Sequence, residues 1–359
     1  MSSRPEPRLA YRSESRTDSR WRTRSEPWSQ FRAEPRPRTP TFADLAELVR
    51  APAALSVVGD TLAGLAAARA GARAAAQVGA HPGERAGAPV PIRGRHLLLP
   101  VASACLYLGG MALNDYADRH VDAVERPERP IPSGRVTPRA AIAIGAALTA
   151  GGVAAAGVAG GRRALGVAVP LAACVWTYDL VAKDRPAGPF VMAACRGLDV
   201  LLGATPGRMR SALPAAAGLT AHTLGVTVLS RGEVHGTTAQ VAGVVAAGTI
   251  AGAVAAAATP TTTAPTARQT AARWTTVAAA TAYAAACAPA QVRAAARPTA
   301  ANARTATRSG IQAMVPLQAA WAARSGGLGT TALLAGVAAV GYGLRLLSRT
   351  RGRAGVSIT

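Results

Sequence analysis

Along this chain, apolar and polar positions alternate on a scale of about twenty residues, the length needed to cross about 30 Å of hydrocarbon as a helix. Apolar runs dominated by alanine, valine, leucine and glycine fall near 45–69, 97–117, 137–158, 163–180, 188–206, 212–230, 238–259, 270–289 and 311–347. "SGGLG" interrupts the last run and predicts a break between a shorter and a longer helix. Polar residues gather in the short connections, where Pro, Gly, Ser and Thr are the usual punctuation. The pattern predicts an all-α, polytopic membrane bundle of about nine transmembrane helices. Abundant Gly and Ala would let these helices pack closely in lipid.

Residues 1–41 lack this period and carry ten arginines, five acids and many Pro, Ser and Thr. They read as a disordered basic arm on the cytosolic side. The membrane domain is expected over 42–348 and a short basic tail over 349–359.

Composition agrees with a membrane protein. Half of the 359 residues are hydrophobic and 16% are charged, against about 25% charged in typical soluble domains. The net charge of +22 raises the question of nucleic acid. The basic residues largely flank apolar runs, so they suit lipid headgroups instead, and no nucleic-acid partner is expected. Positive charge divides about evenly between the two sets of loops and does not set the orientation by itself. Cys105, Cys174, Cys195 and Cys287 each lie in an apolar run without CxxC spacing, as small buried residues would.

One stretch departs from the apolar background. "NDYADRHVDAVERPERPIPSG", Asn114–Gly134, follows the second apolar run directly. On a helix of about 100° per residue, with Asn114 at 0°, Glu125 falls near 20°, Asp118 near 40°, Asp122 near 80° and Asp115 near 100°. Asn114 and Asp122 are then about 12 Å apart along the axis. Like charges sharing a face call for a counter-charge. Hard divalent cations supply it, and Mg²⁺ in particular uses one or two carboxylates together with water and substrate phosphate. The plain alternative is a solvated acidic face, set against the cost of placing Asp at a bilayer edge. Arg129 and Arg135 follow, and arginine beside a metal–carboxylate cluster is a natural diphosphate clamp; headgroup contact is the competing role.

"NDYADRHVD" with the downstream "RPIPSG" resembles the first Asp-rich motif of the UbiA-type intramembrane prenyltransferases, of the form NDxxDxxxD followed by RPxPSG. The resemblance implies about nine transmembrane helices around a central cavity. It implies transfer of an isoprenoid chain from a polyprenyl diphosphate to an aromatic or lipid-soluble acceptor, with Mg²⁺ as cofactor. It implies that Asn114, Asp118 and Asp122 hold metal with Asp115 in support, and that this loop faces the cytosol, with a cell (inner) membrane as the host. It also implies a Tyr and a Lys near the diphosphate. Tyr178 and Lys183 in "WTYDLVAKDRP" occupy similar positions, one residue further apart than the family's YxxxK form. Lys183 is the chain's single lysine, and an ammonium at a cavity mouth would stabilise the leaving diphosphate; an interfacial anchor is its plain alternative.

Four further ionisable residues fall within or beside apolar runs. Arg196 and Asp199 lie on one face of the fifth, either paired with each other or facing substrate. Arg50 and Asp60, both placed in the first, raise the same question. The family's second Asp-rich motif follows the sixth run, and here "LSRGEVHGTT" contains no aspartate. Glu233 could take a second metal's charge and Arg231 could contact phosphate, with His235 and His222 as further polar groups. The reduced motif keeps open a second function on the same scaffold, a non-catalytic transporter or lipid-binding protein. A soluble terpenoid synthase with acidic helix motifs is opposed by the long apolar runs.

Overall fold

A computed structural model of the chain describes residues 39–50, 57–78, 94–258, 265–336 and 339. The basic arm up to residue 38 and the tail over 349–359 lie outside the described residues. Among the described residues the regular structure is helical throughout, as the period of the apolar runs predicts.

Helix α1, Phe42–Leu48, is short and opens with a capping box. Thr41 Oγ1 accepts from the Asp44 amide, and the Asp44 carboxylate accepts from the Thr41 amide at 2.9 Å. Helix α2, Val58–Val78, is the first long element. It starts later than the apolar run that begins at 45, and Arg50 precedes it instead of lying within it. Helix α3, Leu98–Glu125, carries the acidic face on its last three turns.

Helix α4, Pro138–Thr177, is a hairpin of two legs. Gly161 has φ +60° and ψ −147°, a conformation that glycine adopts without steric cost. The legs, 138–160 and 162–177, match the two runs read at 137–158 and 163–180. Helices α5 (Gly188–Ala204), α6 (Leu213–Ser230), α7 (Ala239–Ala257), α8 (Ala267–Ala296) and α9 (Ala300–Arg324) follow. A further helical turn sequence starts at 328, after the break at Ser325–Gly327. Helices α8 and α9 extend well beyond the apolar runs. Their extra turns are rich in Ala and Arg, strong helix formers, so the helix continues where hydropathy has already fallen. Among the described residues, four helical segments are long and apolar enough to cross a membrane: Gly94–Glu125, Pro138–Ala182, Met209–Ser230 and Ala239–Ala257.

Contacts between loops fix the two ends of the bundle. At one end, Arg135 reaches α1, Lys183 reaches α3, Arg231 meets the Arg185 carbonyl, and the Thr237 amide donates to Pro298 O. The C-terminal ends of α3, the second leg of α4, α6 and α8 therefore meet there. Threonine caps at 137, 238 and 299 start α4, α7 and α9 from the same end, each accepting an otherwise unpaired amide. At the other end, the Arg208 amide donates to Ala68 O, and Arg324 donates to the carbonyl groups of Ala255 and Ala258.

Among the described residues, the two largest apolar clusters lie in the interior. Leu99, Leu106, Leu171 and Leu202 tie α3, α4 and α5. Leu219, Tyr283, Leu317 and Trp321 tie α6, α8 and α9 to α2 and α5. The crossing of α2 and α5 depends on missing side chains. A Cβ at Gly203 would strike the Thr61 carbonyl, and one at Gly64 would strike the Val200 carbonyl. Backbone cannot move aside as a flexible side chain can. Gly203→Val is expected to destabilise the protein by at least about 2 kcal/mol through overpacking. A lowered midpoint in thermal unfolding, followed by tryptophan fluorescence in detergent, would show it; an unchanged midpoint would contradict this crossing.

Candidate active site

The acidic face of α3 divides in two, along the angles of its own helix. Asp115 and Asp122, near 100° and 80°, turn toward arginines. Arg129 Nη1 donates to Asp122 at 2.7 Å and approaches Asp115 at 3.4 Å, while Arg50 Nη2 donates to Asp115 at 3.0 Å. Both carboxylates are buried, with Asp115 4% and Asp122 3% exposed. Arg129 thus bridges two turns of α3, held back onto the helix by the prolines that end it. Arg50 reaches Asp115 from the end of α1, where its φ of 48° is uncommon for a side-chain-bearing residue.

Asn114 and Asp118, near 0° and 40°, face another way. Asn114 Nδ2 donates to Asp118 Oδ2 at 3.0 Å, and the Lys183 ammonium pairs with Asp118 Oδ1. A widened turn delivers Lys183. Residues Tyr178–Ala182 form one π-helical turn at the end of α4, closed by the Lys183 amide donating to Tyr178 O at 2.9 Å. A π turn accommodates one residue more than an α turn. That is how the extra residue between Tyr178 and Lys183 is taken up, and Lys183 still meets the acidic face.

The same turn exposes a group that motif spacing did not flag. Asp179 is 3% exposed, lines a cavity next to Tyr178, and lies within electrostatic reach of Lys183, Asp118 and Arg50. Its adjacency to a Tyr…Lys pair was the available signal.

The cavity, of about 90 Å³, runs down from this mouth between α3, the second leg of α4, and α5. Leu106, Met111, Leu171, Val175 and Met192 form much of its wall. Polar groups return at its inner end. Arg196 does not pair with Asp199, three residues on, as one reading of their shared face had it. Its Nη1 donates to Asp60 of α2 at 2.5 Å, and Gln318 Nε2 of α9 donates to the other Asp60 oxygen at 2.7 Å. Asp199 instead accepts from Ser103 Oγ of α3 at 2.7 Å. Asp60 is fully buried, and a buried carboxylate needs such partners.

Other groups lie apart. Arg135 closes a clasp, donating to Asp44 at 2.8 Å and to Glu47 at 2.7 Å and 3.0 Å. Those bonds, that to Glu47 foremost, raise its pKa further above the usual arginine range. It binds α1 to the 126–137 loop. Arg231 donates to the Arg185 carbonyl, which sets the turn after α6 beside the turn after Lys183. Among the described residues no bond joins the Glu233 side chain to the acidic face; its carbonyl accepts from Arg304 at 2.6 Å. His222 is buried 2.9 Å from the Tyr283 hydroxyl and 3.1 Å from Gly310 O. It ties α6 to α8 and α9, away from the mouth.

Among the described residues no three His, Cys, Asp or Glu side chains converge to hold a metal unaided. Two oxygen donors one turn apart, Asn114 and Asp118, nevertheless fit Mg²⁺, which takes few protein ligands and shares its shell with water and phosphate. Asp115 and Asp122 are each bonded to arginine, and their remaining carboxylate lone pairs leave either role open to them.

Comparison with known proteins bears on the same stretch. Residues 85–232 match the UbiA prenyltransferase family. A digeranylgeranylglyceryl phosphate synthase of Methanopyrus kandleri is 40% identical over 113 residues, 31% of this chain and 41% of that protein. The Halobacterium salinarum (strain R1) protein of the same name is 36% identical over 141 residues, 39% of this chain and 49% of that protein. The matches thus span less than half the length of these curated relatives. A solved structure, from work on digeranylgeranylglyceryl phosphate synthase in membranes, covers 79% of this chain and 98% of its own. Its TM-score is 0.54 at 14% identity, a likeness of fold. The matched residues hold the acidic face, the RPIPSG loop and Lys183 together, and over this stretch the chain is similar to the UbiA prenyltransferase family.

Proposed function

We propose that this chain transfers a prenyl group, within the membrane, from a polyprenyl diphosphate to an aromatic or lipid-soluble acceptor, with Mg²⁺ as cofactor. The observation that carries this reading is the pairing of Lys183 with Asp118, opposite Asn114, one turn beyond Tyr178 in the wall of an apolar cavity. The mouth would face the cytosol, with the membrane domain running over 42–348 in a cell (inner) membrane.

In this reading Asn114 and Asp118 would hold Mg²⁺, which when bound neutralises diphosphate charge. Lys183 keeps a cation where negative charge grows on the leaving diphosphate, an arrangement that favours bond cleavage more than ground-state binding. Arg129 and Arg50 hold Asp115 and Asp122 in place and keep the mouth cationic behind the acidic face. The apolar wall below excludes water from the allylic cation until an acceptor attacks. Tyr178 stands at the rim of that wall. Arg231 lies near enough to the Lys183 turn to meet phosphate on a small rotation, whereas Glu233 would have to move to join a second ion.

The test uses the full chain in lipid nanodiscs with Mg²⁺ and radiolabelled geranylgeranyl diphosphate. Time-dependent release of diphosphate is expected. Folded protein that binds the donor without releasing diphosphate, with lipid extract supplied as acceptor source, would favour the non-catalytic lipid-binding reading, which the aspartate-free loop after α6 also supports.

A further inference from the structure

The inner end of the cavity has a property that the transfer reading does not use. Asp199 is 4% exposed and lines the cavity. One of its oxygens accepts from Ser103, and the other, Oδ1, is buried without a hydrogen-bond partner among the described residues. Within an apolar bundle, a buried carboxylate oxygen left without a partner is costly. Beside it stands Arg196, also in the cavity wall. Its guanidinium carries five N–H donors, of which Asp60 takes Nη1. An acceptor oxygen and a donor fork therefore meet at one place.

Depth determines what this pair can do. Ser103 precedes Asp118 by fifteen residues on one helix, about 22 Å at 1.5 Å per residue. Asp199 cannot reach a carbon held at the diphosphate. It serves recognition and not proton transfer at the reacting atom. Size narrows the occupant. An apolar cavity of about 150 Å³ accepts benzene, and this one is about 90 Å³. A slim group fits at its inner end and an aromatic ring does not.

We propose that Asp199 and Arg196 form a subsite for a hydroxyl group carried by the acceptor at a point remote from its reacting atom. Asp199 Oδ1 accepts the hydroxyl hydrogen, and Arg196 donates to the hydroxyl oxygen. A group that both donates and accepts satisfies both partners, whereas an ether satisfies only Arg196. The assignment rests on the transferase reading for the word acceptor, but its test does not need turnover.

The probes are 1-propanol and its methyl ether, 1-methoxypropane, both slimmer and smaller than benzene. Binding to the full chain in nanodiscs is followed by saturation-transfer NMR, with protein-free nanodiscs supplying the bilayer background. The wild-type protein is expected to bind the alcohol at least five-fold more tightly than the ether, and Asp199→Leu to lose that preference. Asp199→Asn, which preserves shape, should weaken alcohol binding at least three-fold and leave the ether unchanged, and it keeps the test decisive if the leucine variant fails to fold. Equal binding of the two probes to wild type, or a preference that survives both substitutions, overturns the subsite. A protein that shows the preference but never releases diphosphate from geranylgeranyl diphosphate would overturn the transferase reading alone.

Discussion

Asp118→Ala is expected to lower diphosphate release from geranylgeranyl diphosphate by a factor on the order of 10² to 10³, the scale seen when one preorganised charge-stabilising group is removed from an active site. Two effects combine in this residue. It supplies the anionic oxygen of the Asn114–Asp118 pair, and it orients the Lys183 ammonium. Removing it leaves Lys183 without its partner and the mouth one negative charge short. Donor affinity should fall along with the rate, because the same groups act in binding and in cleavage. Asp118→Asn separates the contributions: shape and hydrogen bonding persist, the charge does not, and a loss nearly as large as that of alanine would identify charge as the decisive property. Unchanged diphosphate affinity in both variants, measured by equilibrium binding of the labelled donor, would remove this face of α3 from the site.

The second large effect concerns stability. Arg196→Met is expected to destabilise the protein by about 3–5 kcal/mol, the range for breaking a buried ion pair by removing one partner. Asp60 would retain its bond from Gln318 but lose its counter-charge in a fully buried position. The paired change Asp60→Leu with Arg196→Met should recover most of that loss, since no unpaired charge remains. Thermal unfolding of the two variants in one detergent checks the prediction. A double variant as unstable as the single one would mean that packing, not charge, is what Arg196 contributes.

Much of the fold was legible because its signal is coarse. Runs of apolar residues long enough to span hydrocarbon identify helices almost regardless of detail, and the pair read at 137–158 and 163–180 became the two legs around Gly161. Helix ends were less legible. Alanine and arginine continue α8 and α9 where hydropathy no longer marks them, and the late start of α2 moved Arg50 into a separate connection. The acidic face was legible as a face because α-helical angles follow from sequence spacing. Its division into an arginine-bound half and a lysine-bound half follows from the same angles, but the identity of the partners, Arg50 above all, depends on tertiary contacts. Asp60 with Arg196, and Ser103 with Asp199, join residues far apart in the chain, and nothing in their local spacing specifies those pairs. Asp179 is different: it continues the helical spacing of the buried Ala168, Leu171 and Ala172, so its inward position was legible, but the Tyr…Lys spacing drew the eye to its neighbours.

The wide turn at Tyr178–Ala182 also bears on how this chain aligns with its relatives. An added residue absorbed within a single turn leaves the flanking segments in their original registration. A position-by-position alignment that permits no gap there would displace everything from Lys183 onward by one place, assigning α5 the wrong lining residues. Aligning the two sides separately, hinged at that turn, keeps the interior of α5 in step with a sequence of the YxxxK form.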